Sequence, residues 1–195
     1  MLSYKESLKI LKETNALQEG HFILSSGLHS DKYIQCAKLL SNPDKAEIIC
    51  KSLSDKLINE FKSVDLILSP AIGGIVAGYE IGRQLKKKTI FAERSEGEMM
   101  LRRGFEILPN VNVVIVEDVI TTGKSALECS KLITENKANL LGYACIIDRS
   151  DKKLLIKDKI VSQIKFSINT YKENEIPDSL KKILPQKPGS RNLVK

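Results

Sequence analysis

Apolar positions along this chain recur first at helical spacing and then at strand spacing. Over residues 3–14, Leu8 and Leu11 fall beside Tyr4 on one face, which predicts a short amphipathic helix. Two short extended pieces are expected next, at 21–24 and 32–36, around the turn Ser25-Ser26-Gly27. Asn42 followed by Pro43 marks a helix start, with asparagine as cap and proline in the first turn. Ile48, Ile49, Leu53 and Leu57 would form its apolar face, and the helix would run to Phe61.

From there the pattern alternates. Segments 65–68, 89–92, 112–116 and 140–147 read as short apolar strands. The run at 112–116 is largely β-branched, the mark of a strand buried on both faces. Helices fall between them, one through Leu85 after a glycine-rich turn and one over 124–136. Strand–helix alternation implies a parallel sheet with crossover helices, so the expected class is α/β, a parallel twisted sheet flanked by helices. Beyond Asp151 one more strand at 160–168 and a short helix after Pro177 are expected. The piece 94–108 has few cues for either state and reads as a long loop, and long loops in compact domains are commonly functional.

Composition narrows the class. The chain has 195 residues, 42% of them apolar, enough for one domain with a sizeable core. Charged residues make up 28% and are well mixed, which argues against disorder. A net charge of +7 favours an anionic partner: nucleic acid, an acidic surface or an anionic small molecule. The lysines form no long stripe, and a run such as Lys86-Lys87-Lys88 reads as solvated surface. Aromatic residues are only 5%, with no helix-turn-helix pattern and no RNA-binding aromatic motif, so no nucleic-acid partner is expected. Cys36, Cys50, Cys129 and Cys145 have no CxxC spacing, which excludes a zinc ribbon and leaves ordinary reduced thiols. The first residues are charged, and no apolar stretch approaches a membrane span, so a cytoplasmic protein without a membrane partner is expected.

The chemistry concentrates in one run: Val113, Val114, Ile115, Val116, Glu117, Asp118, Val119, Ile120, Thr121, Thr122, Gly123, Lys124, Ser125. A buried strand ends in two adjacent acids, a loop of two threonines and a glycine follows, and a helix begins near Ser125. Ligands of open α/β sheets bind at the carboxyl ends of strands. Loop N–H groups, hydroxyls and a helix N-terminus suit a terminal phosphate. The acids suit vicinal hydroxyls, directly or through a magnesium ion. The plain alternative is a βα turn that merely begins a helix. Gly123-Lys124-Ser125 also matches the end of a Walker A loop, but that motif needs glycine five residues earlier, where Asp118 stands.

This run resembles the 5-phosphoribosyl 1-diphosphate (PRPP) motif of type I phosphoribosyltransferases. Four further segments, in matching order over nearly the whole chain, are similar to those of orotate phosphoribosyltransferases. They are Phe22 to Gly27 with Ser30 and Tyr33; Phe91-Ala92-Glu93-Arg94 entering a mobile loop; Leu101 to Phe105 leaving it; and Asp148-Arg149 after the strand 143–147. The tail Lys187-Pro188-Gly189-Ser190-Arg191 also matches.

The resemblance implies a single domain over 1–195, with a small hood built from about residues 1–40 and 150–195. It implies a homodimer with sites shared across the interface, and PRPP and orotate as substrates. Glu117 to Ser125, with Arg94, Ala71, Gly73 and Gly74, would bind PRPP. Within that set Ser69 to Gly74 would be the diphosphate loop, though a tight βα turn explains its glycines equally. Arg149, Thr121, Ser25, Ser26 and Gly27 would bind orotate. For Arg149 the residues alone leave open a surface ion pair with Asp148 or Asp151; its planar fork also suits a carboxylate. Mg²⁺ would be the cofactor, held mainly through the substrate, with Asp118 as a further candidate.

Many family members carry lysine where Ser25 and Gly73 stand, and a catalytic lysine inside the loop. Here 94–123 contains no lysine, and Arg94, Arg102 and Arg103 are its only basic residues. Those three, with Glu117 and Asp118, are the catalytic candidates. Two rivals remain: a related enzyme using a purine or uracil, against which Arg149 and Phe22 to Gly27 stand, and a PRPP-sensing regulator that binds nucleic acid.

Overall fold

In the computed structural model of the chain, residues 1–24 and 26–188 are described; Ser25 and residues 189–195 lie outside the described residues. Helix α1 (Tyr4–Glu13) starts where Ser3 caps it. The Ser3 hydroxyl accepts from the Glu6 N–H at 3.3 Å, and the Glu6 carboxylate accepts from the Ser3 N–H at 2.7 Å. Strands β1 (Leu17–Ile23) and β2 (His29–Ile34) form an antiparallel hairpin, and a two-residue strand near the end of the chain, β9 (Thr170–Tyr171), pairs with β2. A short α2 (Cys36–Leu40) leads to α3 (Pro43–Glu60), whose Asn42 cap accepts from the Lys45 N–H at 3.3 Å and which stops at Phe61 as expected. Its buried face carries Ile49, Cys50, Leu53 and Leu57, whereas Ile48 is 45% exposed and lies outside it.

The remaining elements alternate: β3 (Leu66–Pro70), α4 (Gly73–Leu85), β4 (Lys88–Ser95), β5 (Glu98–Leu101), β6 (Asn112–Ile120), α5 (Lys124–Glu135), β7 (Asn139–Asp148) and β8 (Ile160–Lys165). After β9, a helix α6 (Asp178–Lys181) follows Pro177. Among the described residues the main sheet runs in the order β5-β4-β3-β6-β7-β8, parallel except for the antiparallel β4–β5 pair. Side chains alternate across it. Val114 and Val116 face a core with α1, α3 and α4, while Val113 and Ile115 face a second core with α5. The parallel sheet buried on both faces is the expected class.

Three sequence readings are corrected. The expected loop 94–108 contains the strand β5, because Glu96 and Gly97, at φ 52° and 91°, close a two-residue hairpin turn between Ser95 and Glu98. Strand β6 does not stop at the acids; it continues through Glu117 and Asp118 to Ile120, paired with β7 to the end. The strand expected at 160–168 ends at Lys165. The four cysteines are free and buried. No helix among the described residues is long and apolar enough to cross a membrane.

Candidate active site

Strands β3 and β6 are parallel neighbours, so the turns that follow them open on the same edge of the sheet. Between these turns lies a cavity of about 300 Å³, lined by Pro70, Ala71, Ile72, Gly73 and Gly74 on one side and by Glu117, Asp118, Val119, Thr121, Thr122, Gly123, Lys124 and Ser125 on the other. Glycine is required where the two sides meet. A Cβ on Gly73 would stand 2.8 Å from Asp118 Oδ1, and one on Gly74 would stand 3.1 Å from the Val116 carbonyl oxygen. The acid of β6 and the amino end of α4 therefore touch only because side chains are missing there.

Gly123 turns the chain from β6 into α5 with φ +74°, and a Cβ on it would stand 2.6 Å from Ile156 Cδ1. The segment after Arg149 thus packs down on this turn, and the Leu155 N–H donates to the Thr122 carbonyl at 2.9 Å. No side chain caps α5, and Thr122 Oγ1 lies a long 3.4 Å from the Lys124 N–H. The first-turn N–H groups of a 12-residue helix thus face the cavity with the positive end of its dipole, an arrangement that accepts an anion.

Glu117 and Asp118, as successive strand residues, leave opposite faces of the sheet. Glu117 is 9% exposed, and burial, with the Asp118 charge beside it, pushes its carboxyl up to about 8. Burial also raises Asp118, offset by N–H donation from its own backbone and from Val119. The cavity floor therefore holds two carboxyl groups that prefer a proton until a cation or a hydroxyl reaches them.

Arg149 sits one residue past β7, and its N–H donates to the Ile120 carbonyl at 2.8 Å, which ties the base of that side chain to the start of the Thr121 turn. Its guanidinium is half-buried and makes no ion pair among the described residues; burial depresses its basicity, against the pull of the Tyr33 and Asp151 charges. Asp148 pairs with Lys165 at 3.0 Å instead, so the surface-pair alternative is not what the structure adopts. Tyr33, on β2, brings the terminal hairpin to the Arg149 side.

Other candidates stand apart from the cavity. Ser26 and Gly27 occupy the exposed tip of the β1–β2 hairpin, and Ser25, beside them, lies outside the described residues, as does the tail motif from Gly189 onward. Arg94 pairs with Glu128 of α5, Arg103 pairs with Glu93 at 2.8 Å, and Arg102 is exposed with no ion pair among the described residues. None of the three arginines lines the cavity. Sequence reasoning missed Ile72, an 86% exposed apolar residue at the cavity wall, and Ile156, which fixes the Gly123 turn. No local sequence signal marks either, since both act through residues distant in the chain.

A family model described as phosphoribosyl transferase domain matches residues 38–176, and the chain belongs to that family. The sheet order and a phosphate-accepting turn after β6 define the same class of protein. Within it the relatives are particular. An orotate phosphoribosyltransferase of Parvibaculum lavamentivorans is 40% identical over 194 residues, covering 99% of this chain and 100% of the relative. Another, from Thermoanaerobacter sp., is 43% identical over 187 residues, covering 96% and 97%. Among solved structures, orotate phosphoribosyltransferase from Aeropyrum pernix superposes with TM-score 0.66 at 22% identity, covering 81% of this chain and 92% of that one. Adenine phosphoribosyltransferase from Thermoanaerobacter pseudethanolicus superposes at 0.60 with 21% identity, covering 69% and 88%. The fold is thus shared by enzymes of different bases, and it is the near full-length sequence relatives that single out orotate.

Proposed function

We infer that this chain transfers the phosphoribosyl group of PRPP to orotate, releasing diphosphate and forming orotidine 5′-monophosphate, a step in making UMP. The observation that carries this reading is the convergence of three turns on one edge of the sheet. The turn after β3 suits a diphosphate, the turn after β6 a sugar phosphate, and the turn after β7 presents Arg149, hydrogen-bonded at its root to Ile120.

The bond from the sugar C1′ to the diphosphate oxygen breaks, and the diphosphate leaves with the electron pair. A bond forms between C1′ and N1 of orotate, whose N1 proton is given up. Positive charge develops at the sugar, so preorganised electrostatics supply most of the acceleration. Thr121, Thr122, Gly123, Lys124 and Ser125 hold the 5′-phosphate, and Val119 and Ile120 frame the turn. Glu117 and Asp118 take the sugar hydroxyls, and Ala71, Gly73 and Gly74 admit the diphosphate close to the backbone. Arg94, Arg102 and Arg103 approach that diphosphate when the β4–β5 segment closes, which excludes water from a reactive sugar. Arg149 and Thr121, with Ser25, Ser26 and Gly27 from the hairpin, take orotate.

No three metal-ligating side chains cluster among the described residues, and Glu117 and Asp118 are the only carboxylates in the cavity lining. That donor set fits Mg²⁺ carried mainly by the diphosphate and sugar hydroxyls, with Asp118 as its protein-side candidate; when bound, it neutralises the departing anion. The chain acts as one domain, with a hood drawn from about residues 1–40 and 150–195, which the β2–β9 pairing supports. It works as a homodimer sharing its sites; Ile72, Val76 and Tyr79, exposed apolar residues at the start of α4, support an interface beside the cavity. Free cysteines support a cytoplasmic setting.

The test is Arg149→Ala assayed against each substrate. Losing a charge-assisted contact costs about 1.5–3 kcal/mol, so the KM for orotate should rise roughly 10- to 100-fold while that for PRPP stays nearly constant. An equal rise in both would remove Arg149 from the orotate side.

A further inference from the structure

Asp148 and Arg149 are adjacent, yet their side chains do not pair among the described residues. The Asp148 carboxylate is fully committed elsewhere. Oδ1 accepts from the Ser150 N–H at 2.8 Å, and Oδ2 meets Lys165 Nζ at 3.0 Å. Lys165 also donates to the Ser150 hydroxyl at 3.4 Å. The main chain of the same turn is held on both sides, with the Arg149 N–H on the Ile120 carbonyl at 2.8 Å and the Phe166 N–H on the Asp148 carbonyl at 3.1 Å. Asp148 is 4% exposed, so its charge is poorly screened by water. Without a cation of its own, that carboxylate would be the nearest partner for the half-buried guanidinium one residue away.

We infer that Lys165 on β8 is a specificity-determining positioning residue: by occupying Asp148, it leaves the fork of Arg149 open for the carboxylate of orotate. This rests on the assignment of Arg149 to orotate. Lys165 acts through Asp148 and touches no substrate. Its side chain is 62% exposed, so replacing it leaves the core intact.

The experiment compares orotate and PRPP kinetics in four variants of the full-length protein: Lys165→Met, Lys165→Arg, Asp148→Asn with Lys165→Met, and Arg149→Ala. Lys165→Met should raise the KM for orotate about tenfold, the order of one charge-assisted contact, with the KM for PRPP and kcat little changed. Lys165→Arg should restore it. The double variant should also recover, because asparagine keeps the acceptor for Ser150 but no longer competes for Arg149; a merely structural pair would leave the double variant as impaired as the single one. No change in Lys165→Met, or no recovery in the double variant, overturns the inference. If Arg149→Ala itself spares orotate, the underlying assignment fails instead, so the two failures are distinguishable.

Discussion

Replacing Glu117 with glutamine should stabilise the free protein and do so only at neutral and alkaline pH. The side chain is 9% exposed and its carboxyl is pushed from an ordinary 4.5 to about 8 by burial and by Asp118. Between those values the folded protein keeps a proton that the unfolded chain has released. Stability must then fall as pH rises through this window, since the folded state binds the extra proton. At 1.36 kcal/mol per pH unit the full displacement corresponds to roughly 5 kcal/mol, and relaxation with water entry reduces it to about 2–4 kcal/mol. Glutamine is nearly the same shape and has no such proton. Urea denaturation of both proteins from pH 5 to pH 8.5 should therefore give similar stabilities at the acid end and a widening advantage for Glu117→Gln above about pH 6. Parallel curves across the range would show that Glu117 is not held protonated, and the electrostatic reading of the cavity floor would fail. The same variant should lose activity, as expected where a functional site is stabilised at the expense of its chemistry.

Asp118→Asn should lower kcat by about a hundredfold or more with an unchanged circular dichroism spectrum; near-normal turnover would remove Asp118 from the sugar side. Gly123→Ala places a Cβ at φ +74° and 2.6 Å from Ile156 Cδ1, so it should cost on the order of 1–3 kcal/mol of stability in denaturant and raise the KM for PRPP more than that for orotate. Unaltered stability and PRPP affinity would contradict the tight turn.

Much of this arrangement can be read from the chain because it is local. Asn42 and Pro43 announce α3 by capping chemistry, and the β-branched run at 112–116 announces β6 by its burial on both faces. What stayed hidden depends on partners far away in sequence. The acids looked like a strand terminus because charge interrupts an apolar run, but pairing with β7 carries the strand past them to Ile120. The β4–β5 hairpin was hidden because its turn is Glu96-Gly97, whose glutamate lacks the local hydrogen-bonding chemistry that makes asparagine or aspartate a turn signal at positive φ. The site divides in the same way. The turn after β6 is contiguous and legible, whereas Gly73 against Asp118, Ile156 against Gly123 and Lys165 on Asp148 exist only after folding. The arginines Arg94 and Arg103 were expected at the diphosphate, and in the structure they are engaged by Glu128 and Glu93, so closure must exchange those partners for the substrate.

The central claim is that the convergent turns act on PRPP and orotate together. The most direct measurement follows the ultraviolet absorbance of orotate with the purified protein, PRPP and Mg²⁺. The account predicts a steady loss of orotate that needs all three additions and stops in Asp118→Asn. No loss of orotate, with turnover of adenine or uracil under the same conditions, would contradict it.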